Sequence, residues 1–185
     1  MREYYDQRAP EYDDWWRGTG LFEARERPGW HEDVTELQAA LAALPPARTL
    51  DVACGTGFLT RYLPGEVTGL DQSASMLELA ASRMPSATFV QGDALDPPFA
   101  PGVFERVHAG HFYGHLAEEQ RERFLEAAAR LAAELVISDS ALRPDGGPVV
   151  QDRRLRRTLT NHGPSWTVSP PPSSSASPSA VNQRL

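Results

Sequence analysis

At 185 residues and 41% hydrophobic content, the chain is sized for one domain with a sizeable core. Its formal charge of −7 argues against a nucleic-acid backbone as partner, and its single cysteine excludes an intrachain disulfide. No apolar run reaches transmembrane length and the N-terminal stretch is polar and acidic, so the sequence reads as a cytoplasmic protein with no membrane partner.

Residues 1–30 are dense in aromatics, with Tyr4, Tyr5, Tyr12, Trp15, Trp16, Phe22 and Trp30. The spacing of Tyr5, Tyr12, Trp15 and Trp16 puts several on one side of a helix, where they either cap a pocket or anchor a flanking helix in the core. Leu37, Ala40, Leu41 and Leu44 follow at i, i+3, i+4 and i+7, an amphipathic helix stopped by Pro45-Pro46. A strand over 49–53 breaks into a glycine turn, and residues 58–63 make a short helix ended by Pro64. A second strand over 66–70 runs into Asp71. Ser73 or Ser75 caps a helix through Met84, with Glu78 placed to close a capping box on Ser75. The third strand is 87–91, the fourth lies within 104–112, a helix covers 118–133, and the fifth strand is 134–139. This alternation predicts an α/β fold with a doubly wound, mostly parallel, Rossmann-like sheet.

The glycine turn, Asp51-Val-Ala53-Cys-Gly55-Thr-Gly57, carries the chemistry. Gly55 and Gly57 let the chain turn sharply and bring its amides close to a ligand. Asp71, twenty positions after Asp51, stands where an acid accepts hydrogen bonds from both ribose hydroxyls of an adenosine cofactor. A nicotinamide-dependent oxidoreductase would use the same layout, but its fingerprint wants a small residue where Thr60 stands. There is no Gly-Lys-Ser phosphate loop and no lysine anywhere, so an adenosine compound without phosphate fits better. Asp93 comes where the third strand runs out. Ligands of open α/β sheets bind at such carboxyl ends, where Asp51, Asp71, Asp93 and His108 converge.

Three motifs in this order, Asp51-Val-Ala-Cys-Gly-Thr-Gly57, Gly69-Leu-Asp71 followed by Ser-Ala-Ser-Met76-Leu, and Gly92-Asp93-Ala94, resemble the class I S-adenosylmethionine-dependent methyltransferases, in particular the small-molecule methyltransferase-domain group. The resemblance runs from about Tyr4 to Gly146. It implies that S-adenosyl-L-methionine is the cofactor, held by Asp51, Ala53, Gly55, Gly57, Asp71, Gln72, Met76, Asp93, Ala94 and His108, with Tyr5 and Tyr12 on a lid that excludes water. Ala53 stands where many members have glycine, a departure that its small size is expected to absorb. The implied reaction is in-line methyl transfer to an oxygen, nitrogen or carbon atom of a small molecule. Two rivals remain, a non-catalytic or truncated cofactor-binding remnant and the nicotinamide-dependent oxidoreductase.

His108-Ala-Gly-His111-Phe-Tyr113-Gly-His115 lies at the end of the fourth strand. His111, with Tyr113 second, is the candidate for orienting or deprotonating an acceptor, because neutral imidazole serves as a base. No acidic or cysteine partner has ligand-like spacing nearby, so no metal site is assigned. Cys54 reads as a packing residue. Residues 96–99, Asp-Pro-Pro-Phe, match a tetrad of amino-methylating DNA enzymes but precede the fourth strand instead of ending it, and read as a loop.

Three segments result: an aromatic lid over 1–30, a methyltransferase core over 31–148, and a tail over 149–185, arginine-rich and then proline- and serine-rich. Between Pro164 and Ala180, twelve of seventeen residues are proline or serine, a composition that predicts disorder. The last two strands of the resembling fold are therefore expected to be missing or replaced, through an out-of-frame or truncated end or a natural linker-like tail. That loss would leave the fifth strand as an exposed apolar edge for self-association.

Overall fold

The computed structural model describes residues 2–24, 27–142, 148–160 and 163–169. Its centre is a sheet of seven strands in the order β3-β2-β1-β4-β5-β6-β7. The strands are β1 (Thr49–Val52), β2 (Val67–Asp71), β3 (Thr88–Gln91), β4 (Arg106–Gly110), β5 (Glu134–Leu142), β6 (Pro148–Thr160) and β7 (Gly163–Ser169). The first five are parallel, and the order reverses at β1, which pairs with β2 on one side and β4 on the other. That reversal opens a crevice at the carboxyl ends of β1 and β4.

The helices are α1 (Arg2–Arg8), α2 (Tyr12–Arg17), α3 (Trp30–Ala42), α4 (Ala74–Arg83) and α5 (Glu118–Leu131). Helix α3 lays the 3.6-residue stripe of Val34, Leu37 and Leu41 on one face of the sheet, where they meet Phe58, Leu59, Leu63 and Val136. Helix α5 buries Phe124, Ala128 and Leu131 on the other, against Leu50, Val107, Leu135 and Ile137. A fully buried leucine contributes about 1.5–3 kcal/mol, so these two faces supply most of the apolar stabilisation. Both faces of β1 are covered, which is why its run Thr-Leu-Asp-Val is buried at every position.

Two features depart from the sequence reading, and one choice it left open is resolved. Ser73, not Ser75, caps α4: its Oγ accepts the Met76 amide at 3.2 Å, so no capping box on Ser75 is needed. The segment 58–63 forms only a 3-10 turn, Thr60–Tyr62. Residues 148–160 and 163–169, read as a disordered tail, run as strands. β6 pairs antiparallel with β5, from Glu134↔Arg156 to Leu142↔Pro148, and β7 pairs antiparallel with β6. The edge of β5 is thus covered by β6, which removes the ground for self-association there. The pairing is sequential, and it needs no apolar pattern because a backbone ladder satisfies its amides and carbonyls whatever side chains it carries. The remainder of the predicted tail, 161–162 and 170–185, lies outside the described residues.

Candidate functional site

The site grows from the turn after β1. Ala53 and Gly55 both have positive φ, 53° and 55°, so the chain reverses within three residues and turns the Gly55 amide toward β2. Asp71, the last residue of β2, receives it: Oδ2 accepts Gly55 N–H at 2.9 Å and Oδ1 accepts Ser73 N–H at 2.9 Å. Burial raises the Asp71 carboxyl above its ordinary value despite these donors. Gly57 has another duty. A Cβ there would come within 2.2 Å of Met84 Cε and 3.3 Å of the Ala80 Cβ, so its missing side chain lets α4 close on the turn.

Asp51 and His108 face each other across neighbouring strands. The Asp51 carboxylate accepts the Thr60 hydroxyl at 2.5 Å and meets His108 Nδ1 at 2.7 Å, while His108 Nε2 lies 3.0 Å from Ser138 Oγ. His108 is fully buried. It lines the floor of the crevice with both ring nitrogens already engaged by Asp51 and Ser138. Thr60, read from sequence only as a departure from the dinucleotide fingerprint, orients Asp51.

Above this floor is a cleft whose empty volume, open mouth included, is about 330 Å³. Asp51, Ala53, Gly55 and Thr56 line one side, and Tyr12, Trp16 and Phe58 close the other. Trp16 stacks on Phe58 with ring centroids 5.2 Å apart, and its carbonyl accepts the Trp30 indole N–H at 3.0 Å. Tyr12 sits 3.5 Å from where a Gly55 Cβ would be, and Tyr5 meets the Tyr12 ring edge-on at 6.2 Å. Burial pushes both phenols above their ordinary range. Cys54, beside the turn, has its thiol raised by burial and then by Asp51 and Asp71, which suits a packing role.

Farther along the sheet edge, Asp93 is exposed and its Oδ1 accepts Leu95 N–H at 2.9 Å, while Ala94 is buried. Gln72 is exposed, and its carbonyl accepts the Gln91 side-chain amide at 2.8 Å. Met76 is buried within α4. Residues 96–99 form a loop before β4, with the Phe99 and Pro97 carbonyls held by Arg130 at 2.7 and 3.2 Å.

The residues after β4 do not line the cleft. His111 has φ 51°, donates its amide to the Ser138 carbonyl at 2.7 Å and stacks on Trp15 with centroids 4.2 Å apart. Its Nδ1 lies 3.4 Å from Asp139 Oδ1, and its Nε2 lies 3.4 Å from His115 Nε2. Tyr113 instead packs on the Phe124 side of the sheet, at 5.9 Å, under Arg121. The structure therefore separates the two catalytic candidates. Sequence reasoning missed Asp139, which follows Ser138 on β5, and Asp13, a carboxylate of α2 buried against the turn. Among the described residues no group of three or more His, Cys, Asp or Glu side chains is placed to hold a metal ion.

Residues 49–134, which span β1 to the start of β5 and hold the turn, Asp71 and Asp93, match the family described as "Methyltransferase domain". The matched stretch, just under half of the chain, is similar to a methyltransferase domain. Outside it, the similarity extends through whole relatives only in part. The chain is 33% identical over 97 residues to demethylmenaquinone methyltransferase of Thermotoga maritima, covering 50% of this chain and 41% of that one. It is 35% identical over 127 residues to dTDP-3-amino-3,6-dideoxy-alpha-D-glucopyranose N,N-dimethyltransferase of Streptomyces fradiae, covering 66% and 46%. The chain thus spans under half the length of the curated relatives it matches. Among solved structures, the DhpI-SAM-HEP complex aligns over 90% of this chain and 78% of that one, with TM-score 0.58 and 24% identity. The [4+2]-cyclase SpnF aligns over 79% and 62%, with TM-score 0.60 and 22% identity. At these identities the likeness establishes the fold of the methyltransferase domain. A cyclase among the neighbours illustrates why function has to be argued from the site.

Proposed function

We propose that the chain is an S-adenosylmethionine-dependent methyltransferase acting on a small molecule, a soluble cytoplasmic protein with no nucleic-acid or membrane partner. The observation that carries this reading is Asp71, a half-buried carboxylate at the end of β2 that grips the Gly55 amide. A carboxylate has about four lone-pair positions, and the Gly55, Ser73 and Gln72 amides take up to three of them, which leaves room for a ribose hydroxyl. The charge balance also fits, since a chain without lysine offers no lysine grip on a phosphate.

In this reading Asp71 and Gln72 hold the ribose, Asp93 and the Ala94 backbone take the adenine, and Gly55, Ala53 and Asp51 border the methionine end, with Met76 behind. Gly57 contributes by packing and His108 by orienting Asp51. Tyr5 and Tyr12 close over the turn and keep water out. Bound there, S-adenosylmethionine supplies a methyl group activated by its sulfonium. What the protein adds is mainly alignment of the acceptor, and proximity alone contributes roughly 7–11 kcal/mol. His111, paired with Asp139 beside the cleft and not in its lining, is assigned to orient an acceptor that extends past Trp16 or to receive its proton. Tyr113, turned toward Phe124, shapes the loop. The printed names of the relatives, a quinone methyltransferase and an amino-sugar N,N-dimethyltransferase, support a small-molecule acceptor with oxygen, nitrogen or carbon as the methylated atom.

Calorimetric titration with S-adenosylhomocysteine tests the proposal. Micromolar binding that Asp71→Ala abolishes is expected. No heat from protein shown by circular dichroism to be folded refutes it. Binding without turnover across an acceptor screen with a radiolabelled methyl donor would identify a cofactor-binding remnant.

A further inference from the structure

The cleft has a lid on one side, and the lid is fastened by ionic and polar bonds that its aromatic composition does not announce. Asp13, the second residue of α2, is 3% exposed. Its Oδ1 accepts the hydroxyl proton of Thr56, the residue between the two glycines of the turn. Its Oδ2 lies 2.8 Å from Arg83 at the end of α4 and 3.3 Å from Arg17 on its own helix. Arg83 closes the ring by donating to the Thr56 carbonyl at 3.0 Å. The carboxylate is therefore the one point where the lid, the glycine turn and α4 meet. A second tie lies one helix earlier, where Asp6 Oδ1 accepts the hydroxyl of Ser73, the α4 cap beside Asp71, at 2.5 Å.

We propose that Asp13 is a positioning residue that latches the lid shut on the glycine turn and so sets how long the ligand of the proposed function is retained. Asp13 itself is not among the cleft-lining residues; it acts through its neighbours. Tyr12 precedes it and covers Gly55, and Trp16, three residues on, stacks over Phe58. With the carboxylate bonded to Thr56, both rings are seated over the cleft. Without it, a short helix of six residues has no other buried polar tie to the turn among the described bonds, and a helix that short does not hold itself in water. Asp13 and Thr56 are both buried while Arg17 and Arg83 keep contact with solvent, so losing the hydroxyl or the carboxylate leaves a buried polar group uncompensated and disfavours the closed lid.

The ligand enters the argument through the proposed function, and the test keeps the two apart. Hydrogen exchange measured by mass spectrometry on the full chain, with and without S-adenosylhomocysteine, compares wild type with Asp13→Asn, Thr56→Val and Thr56→Ser, each confirmed folded by its thermal transition. The latch requires faster exchange across residues 2–17 in Asp13→Asn and Thr56→Val in the free protein, with Thr56→Ser restoring protection because it restores the hydroxyl. It further requires S-adenosylhomocysteine to leave about tenfold faster from the first two variants, as loss of roughly 1.4 kcal/mol implies. Wild-type exchange across 2–17 in Asp13→Asn, or loss of protection in Thr56→Ser equal to that in Thr56→Val, overturns the latch. If wild-type protein takes up no S-adenosylhomocysteine, the proposed function fails, and exchange in the free protein still decides whether Asp13 fastens the lid.

Discussion

Replacing Ala53 by glycine is expected to stabilise the protein, although it removes a methyl group from the wall of the cleft. Ala53 has φ 53°, in the left-handed region, where the Cβ of an L-residue crowds the following carbonyl at a cost of about 1–2 kcal/mol. Glycine removes that cost, and two terms oppose the gain. The unfolded chain becomes freer, by roughly 0.4–1 kcal/mol. The lost methyl is only half-buried, so its burial term is about 0.4 kcal/mol, half of the value for a fully buried carbon. The net is a stabilisation of about 0.4 kcal/mol, within a range of roughly −0.4 to 1.2. For a chain of this size that moves the thermal midpoint up by about 1–2 °C. Paired thermal and urea unfolding of wild type and Ala53→Gly reads it, with Ala109→Gly, a buried position in β4, as a control that should destabilise. A drop in midpoint of 2 °C or more for Ala53→Gly would refute the argument, since it would mean that the methyl packs better than the backbone is strained.

Three pH dependences follow from the same site. The Asp71 carboxyl titrates above its ordinary 3.8 because it is buried, and ribose hydroxyls bind its ionised form better than its neutral one. Affinity for S-adenosylhomocysteine should therefore fall as pH drops through a value above 3.8, a loss that Asp71→Asn, weak at every pH, does not show by calorimetry. The free protein should move the other way, because a raised carboxyl favours the folded state as it takes up its proton. Tyr12 is raised above its ordinary 10.0, chiefly by burial and then by Tyr5 and Asp71. The unfolded phenol ionises first, so this contribution to stability is complete below about pH 10 and is lost as pH rises further. Urea midpoints of Tyr12→Phe should decline less steeply with alkaline pH than those of wild type, and parallel slopes would count against the buried phenol.

The legible part of the molecule was the part with local signatures. Period-3.6 apolar spacing placed α3 and α5, and the strand ending in Asp71 and the Gly92-Asp93-Ala94 step placed the crevice, because strands, turns and helix stops are decided within a few neighbours. What stayed hidden depends on partners far along the chain. Asp13 reads as one of two surface acids in a row, and only the fold brings Thr56 and Arg83, 43 and 70 positions away, against it. Thr60 and Ser138 look like ordinary hydroxyl residues until β1, β4 and β5 align to join Asp51 and His108. The strain at Ala53 was missed because side-chain size, the property sequence offers, is not the property the turn constrains; the sign of φ is. β6 and β7 escaped for a related reason, since edge pairing needs only backbone and leaves no apolar alternation in an arginine- and serine-rich run.

The order of the strands also has a consequence for the chain as it is made. Every residue of the cleft lies at or before Gly110, and its floor is completed by Ser138, whereas β6 begins at Pro148. As synthesis proceeds from the N-terminus, the cradle is spelled out in full while the outer side of β5 still has no neighbour. The hazard of wrong pairing thus falls in the interval between making the site and sealing the sheet, and it ends with a return strand that needs no crossover helix to reach its place.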